Sequence, residues 1–261
     1  MTQRSYVRAL AIGAAGLTAA FTAPAAFASA APATVQISGA MAAQESHGVH
    51  ALSKLSSTTV ESSNWSGYAA TGSTGAFTSV SASWTQPTLT CTSKTTYSSY
   101  WVGLDGYSNS ALEQTGTEAD CISGKAVYGA WWEVLPASES AYSVTVKAGD
   151  SLSASVVYSG STFTMTLTDS TEGWTKTTTH AGSSGFKNAS AEVIAEATEV
   201  NGSIAKLSDF GTASFTNATA DGNSLASYSP TEIVMEGSSD VKAQPSSISG
   251  GSFSVAWKNY S

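Results

Sequence analysis

Residues 161–180 read STFTMTLTDSTEGWTKTTTH, and the spacing of their apolar side chains decides the fold class. Phe163, Met165 and Leu167 alternate with threonine, so a strand here buries one face and leaves the other polar. Asp169 to Gly173 supplies turn chemistry. Trp174 to His180 then returns to a Thr-rich strand composition. The stretch therefore reads as a β-hairpin. The same texture continues on both sides. FTSVSASWTQP (77–87), SYWVGLDG (99–106) and AVYGAWWEVLP (126–136) precede it, and AYSVTVKAGDSLSASVVYSG (141–160) is expected to form two strands joined at Lys147–Asp150. SAEVIAEATEV (190–200), LSDFGTASFTNATA (207–220), PTEIVMEG (230–237) and SFSVAWKNYS (252–261) follow. Only the segment around 190–200 has a helical rival, in its Ala and Glu content, and its β neighbours favour a strand. Period-two alternation with turn signals every ten residues or so predicts an all-β protein, an antiparallel sandwich or barrel.

The chain has 261 residues, divided by texture. Arg4 and Arg8 precede an apolar run over 9–22, and Ala28-Ser29-Ala30 offers the small residues of a signal-peptidase site. Residues 1–30 are expected to be a signal peptide, too short in their apolar part to remain as an anchor. Residues 31–60, which hold His47 and His50, read as a pro-segment or flexible leader. Residues 61–261 then form one domain, long enough for a real core. The mature chain is expected to begin between about residue 31 and residue 62.

Of the 11 basic residues, only eight lysines lie beyond residue 60, against all but one of the 19 acidic residues. That acidic balance argues against nucleic acid as a partner. The low total charge limits self-repulsion in acid; it equally suits an ordinary Ser/Thr-rich exported β protein. Two cysteines, Cys91 and Cys121, in an exported chain predict a disulfide. Closing a loop of about 30 residues, it would contribute roughly 3.5 kcal/mol on the chain-entropy model. No CxxC pair or HExxH string is present, so neither a metal nor another cofactor is expected.

Elimination narrows the chemistry. His180 is the single histidine beyond residue 60 and sits in a polar hairpin, so a serine triad lacks its base. Paired cysteines leave no thiol nucleophile. The strings D-T-G and D-S-G do not occur. What remains are carboxylates and amides in apolar β context: Asp105, Glu113, Gln114, Glu133, Glu192 and Glu196. Glu113 and Glu196 are expected on the solvent face, at other phases from Gln114 and Glu192. Trp131 and Trp132 must point to opposite faces of their strand, one to the core and the other to a groove.

Six strings occur in order: NWSGY (64–68), WVGLDG (101–106), LEQTG (112–116), YGAWWE (128–133), SAEVIAE (190–196) and LSDFGTASFTNA (207–218). The ordered set resembles the glutamic peptidases, the eqolisin (G1) family, over essentially Val60 to Gly222. The resemblance implies a concanavalin/lectin-like β-sandwich of two antiparallel seven-stranded sheets. It also implies a secreted, monomeric endopeptidase that acts on proteins and peptides at acid pH through a Gln/Glu dyad. The dyad would be Gln114 and Glu192. Trp65, Trp101 and Asp105 would line the substrate cleft, and Glu133 would be a supporting acid. Three positions depart from the family strings: Gly129 stands where an Asp is usual, and Val134 and Val193 where a Trp is usual. The residues leave two other readings open: a glycoside hydrolase using Glu133 and Glu192, or a non-catalytic carbohydrate- or protein-binding module.

Overall fold

The computed structural model describes residues 45–49, 52–54 and 58–260; the expected signal peptide lies outside them. Fourteen strands carry the architecture. They are β1 Thr59–Ser62, β2 Trp65–Thr71, β3 Ser79–Thr85, β4 Ser99–Leu104, β5 Glu113–Ile122, β6 Lys125–Val134, β7 Ser151–Ser159, β8 Thr162–Asp169, β9 Trp174–Ala181, β10 Ser190–Glu196, β11 Thr212–Ala220, β12 Thr231–Glu236, β13 Val241–Pro245 and β14 Phe253–Trp257.

Two antiparallel layers result. One runs β6–β5–β4–β10–β2–β12. The other runs β9–β8–β7–β3–β11–β14. The ladder passes from one layer to the other through β13, which pairs with both β12 and β14. β1 joins β12 in parallel, so the boundary expected between residues 60 and 61 falls inside a strand. Short two-residue pairs decorate the edges, among them Glu45–Ser46 against Glu199–Val200.

Period-two alternation explains the packing between the layers. Phe163, Met165 and Leu167 of β8 meet Val102 and Leu104 of β4 and Val193 of β10 in one buried cluster, while the intervening threonines of β8 face out and pair with those of β9. Residues 190–196 are strand and wholly buried, because both faces of β10 are covered, which also explains their near-continuous apolar composition.

Two details differ from the sequence reading. Residues 142–149 form no strand; only Ser140–Ala141 pairs, with Trp131–Trp132. Val146 is instead an isolated core residue, and Asp150 accepts a bond from the Lys147 amide at 2.6 Å to close the turn. β13 was not legible, since Val241–Pro245 is short and ends in proline. The disulfide is as expected: Cys91 and Cys121 are bonded, tying the loop before β4 to the end of β5.

Candidate active site

The outer face of the first layer carries the polar residues singled out above. Register places them in rows across the strands. Glu133, Gln114, Gly103, Glu192 and Ala69 form one row. Trp131, Gly116, Trp101, Ile194 and Gly67 form the next, and Gly129, Glu118, Ser99, Glu196 and Trp65 the third. Gly103 on β4 lies between Gln114 and Glu192, whose backbones are therefore two strand spacings apart, about 9.6 Å. A Cβ at residue 103 would stand 2.9 Å from Leu112 Cδ1 and 3.3 Å from Gln114 Cβ. A side chain at residue 103 would therefore crowd Leu112, Trp101 and Gln114.

Gln114 is oriented by Glu133: its Nε2 donates to Glu133 Oε2 at 2.6 Å. Its Oε1 and both carboxyl oxygens of Glu192 have no hydrogen-bond partner among the described residues. Burial raises the Glu192 pKa well above the usual carboxyl range, and the Asp105 and Glu113 charges add to it. Glu133 is pushed up to about 8, chiefly by burial; the His47 charge opposes the rise, and the charges of Glu196 and Glu139 add to it.

Trp65 and Trp101 meet edge to face, 4.9 Å between centroids, in an apolar cluster with Ala69, Leu112, Trp131 and Ile194. Trp131 faces this cleft and Trp132 packs on the interlayer core, the two-sided arrangement expected. His180 is exposed. Asp105 does not reach into the cleft with a free carboxylate. It occupies a left-handed turn (φ 68°) and accepts bonds from the Lys187, Asn188 and Ala189 amides at 2.7–3.0 Å and from Asn109 Nδ2 at 2.8 Å. It thereby anchors the chain that enters β10, two residues before Glu192.

Two expectations are corrected. Glu113 and Glu196 are both buried, not solvent-facing. Glu113 accepts the Ser183 amide at 2.6 Å. Glu196 is four residues from Glu192, an even separation on a strand, so both point to the same face. It accepts bonds from Trp101 Nε1 at 2.7 Å and Asn64 Nδ2 at 2.9 Å. The departures from the family strings also find their places. Glu118 opposes Gly129, and its carboxyl fills the position a side chain there would take. Val134 and Val193 face the interlayer core, so they alter packing and not the cleft.

Sequence reasoning missed His47. Its backbone amide donates to Glu133 Oε2 at 3.2 Å. Its ring lies flat on Trp131, 3.9 Å between centroids and 4° between planes. Nδ1 is 3.1 Å from Glu196 Oε2 and Nε2 is 2.7 Å from Glu139 Oε2. Both ring nitrogens face carboxyl groups, and imidazole donates from both only when protonated. Burial alone would lower its pKa, but Glu196 and Glu139 overcome that and hold it well above the ordinary value. No motif around residue 47 signals this placement.

Gln114 and Glu192 thus share one row, on a sheet face that also carries Trp65, Trp101 and Trp131. The family model for the Peptidase A4 family matches residues 63–257. The chain belongs to the Peptidase A4 family, the glutamic peptidases. It is 30% identical over 232 residues to Aspergillopepsin-2 of Aspergillus niger, covering 78% of this chain and 81% of that one. Scytalido-glutamic peptidase, solved with a peptide-based transition-state analogue, superposes with a TM-score of 0.63 at 27% identity, over 75% of this chain and 98% of its own. The aspergilloglutamic peptidase of Aspergillus niger gives 0.57 at 30% identity, over 62% and 99%. The chain is thus a peptide-bond hydrolase, and its substrates are proteins or peptides.

Proposed function

We propose that this chain is a secreted acid endopeptidase in which Gln114 and Glu192 hydrolyse the peptide bond together. The observation that carries this reading is their common row, with no side chain from Gly103 between them. A scissile carbonyl and a water brought to this row would lie between the two side chains. Glu192 takes a proton from the water as its oxygen attacks the carbonyl carbon, and later passes that proton to the leaving amine. Gln114 has two amide hydrogens. One is committed to Glu133, which fixes the plane of the amide, and the other is free to stabilise the oxyanion. Its unpartnered Oε1 is available to orient the water.

Burial disfavours the ionised form of the Glu192 carboxyl in the state described here. The base form requires water beside this carboxyl, because burial penalises its charge. Export is supported by the character of residues 1–30 and by the disulfide.

The geometry does not favour the glycosidase reading. Glu133 and Glu192 lie in one row but three strand spacings apart, roughly 14 Å between backbones, with Gln114 between them. A retaining pair needs carboxyl groups about 5 Å apart. The test is digestion of casein at about pH 3–4, just below the reference Glu pKa, beside a reducing-sugar assay on polysaccharides. Proteolysis lost in Gln114→Ala supports the dyad. Sugar release, or proteolysis unaffected by Gln114→Ala, contradicts it.

A further inference from the structure

Lys242, on β13, is the only buried lysine among the described residues, with 5% of its surface exposed. Its Nζ donates to Ser63 O at 2.8 Å. Burial lowers its pKa to about 8, and no carboxylate charge opposes that fall. Below that pH the amine is an ammonium whose acceptor is a neutral carbonyl, with two further N–H groups to give. A buried charge without a counter-charge is costly. Lys242 and Ser63 line a cavity of about 470 Å³ together with Ile204, Lys206, Glu236 and Tyr260, a volume in the range of small-ligand sites. The walls are held in place. Tyr260 O accepts the Leu207 amide at 3.2 Å, and its ring meets Trp257 edge to face, 4.9 Å between centroids. Lys94 Nζ lies 4.3 Å from the centroid of the same ring. The Lys258 amide donates to Lys242 O at 2.8 Å. Glu236 does not neutralise the amine: its carboxyl is raised by burial and then by the Glu61 charge, with no lysine lowering it.

We infer that this cavity is a binding site for a small organic monocarboxylate, whose carboxylate accepts the remaining N–H groups of Lys242 and whose apolar body lies against Ile204 and Tyr260. Two lysines against one glutamate in the lining leave a single net positive charge, which suits a monoanion better than a phosphate dianion. Hydrogen bonds between an ammonium and a carboxylate are of the strong, charge-assisted kind, and an ammonium already desolvated by the fold gains most from them. The apolar part of the wall selects a carbon body over a bare inorganic ion. A free short-chain acid and the C-terminus of a peptide both present this chemistry. The cavity lining includes neither Gln114 nor Glu192, so the inference goes beyond the peptidase reading and does not rest on it.

The test follows the Lys242 side chain by NMR in the full chain with labelled lysine, titrated from about pH 6 to pH 10, on both sides of the lysine range. Four probes are added in turn: isobutyrate, N-acetylleucine and the neutral amide of each. The Lys242 signal is the one lost in Lys242→Met. A carboxylate that binds the ammonium at least about tenfold tighter than the amine, the size of one charged hydrogen bond, raises the Lys242 midpoint by about one pH unit through linkage. The amides are expected to leave it unchanged. A rise with isobutyrate alone supports the site and assigns it to free acids; a rise with N-acetylleucine alone supports it and assigns it to peptide C-termini; a rise with both supports the shared chemistry. Calorimetry at about pH 6, where a carboxylic acid is ionised and lysine charged, is the second readout. There Lys242→Met is expected to lose at least about tenfold in affinity for the carboxylates, and Lys242→Gln replaces it if the Met variant does not fold. No rise with either acid, an equal rise with the amides, or unchanged carboxylate binding in the variant overturns the site. None of these readouts needs turnover, so the site and the proposed chemistry fail separately.

Discussion

At the scale of single residues, Gly103 and Asp105 are placed to position the proposed dyad without taking part in it. Gly103→Ala places a methyl group 2.9 Å from Leu112 Cδ1 and 3.0 Å from Trp101 Cζ3. Overpacking of this kind costs about 1–3 kcal/mol, and here the added atom also enters the gap between Gln114 and Glu192. The expected outcome is a modest loss of stability by denaturant titration with a larger loss of kcat. Asp105→Asn removes charge from a carboxylate that accepts four donors. Hydrogen bonds to charged groups contribute about 1.5–3 kcal/mol each, so unfolding free energy should fall by at least about 2 kcal/mol. Activity should fall with it, through misplacement of β10. Gln114, Glu133 and Glu192 were singled out in the sequence because ordered strings surround them, and the structure brings them into one row. Asp105 was legible as a residue but not in its role, since its partners are backbone amides more than eighty residues away. Glu196 was misread, although counting by twos from Glu192 reaches it. His47 was invisible, because its partners come from three separate parts of the chain.

At the scale of elements, alternation carried the reading wherever one face of a strand is buried. The β8–β9 hairpin shows this best, with apolar side chains inward and threonine pairs outward. It failed at residues 142–149, where valines alternate without a partner strand to complete a ladder, and at β13, whose five residues are too few to show a period. β10 was legible as a strand, while its burial on both faces follows from tertiary context. The disulfide is the one covalent tie between elements. Cys91→Ser with Cys121→Ser opens a loop spanning a sequence separation of 30 residues, at a cost of roughly 3.5 kcal/mol on the chain-entropy model. For a domain of this size the melting temperature should fall by about 7–14 °C, at 2–4 °C per kcal/mol. A change of less than about 2 °C would mean that the loop before β4 is held by other contacts.

At the scale of the whole molecule, the first layer and the Glu45–Ser46 segment hold a store of buried acid. Glu45 and Glu113 are each pushed up to about 7 and Glu133 to about 8, in every case chiefly by burial. One oxygen each from Glu45, Glu118 and Asp120 lies within 4.8 Å of the others, and burial raises the last two well above the usual range as well. These carboxyls bind protons more tightly folded than unfolded. Their contribution to stability is therefore fully present below about pH 4.5, the unfolded value, and is lost as pH rises through about 7 to 8. His47, also raised, adds in the same direction, because its contribution is lost as pH rises past its folded value. One pH unit of pKa change is worth about 1.4 kcal/mol. The melting temperature is accordingly expected to fall between about pH 4.5 and pH 8, and a rise across that window would refute the assignment of these groups as buried neutral acids. Greater stability in acid is what the proposed acid peptidase, with one carboxyl as base and an amide receiving charge, would require. The most direct test of that chemistry is kcat/KM for a peptide substrate, measured from about pH 2 to pH 7, for Glu192→Gln beside the wild type. The substitution keeps size and hydrogen-bonding shape and removes only basicity, so the Gln/Glu account predicts a loss of at least about 10²-fold, the lower range for a general base, at every pH. A Glu192→Gln protein that keeps most of the wild-type rate would contradict it.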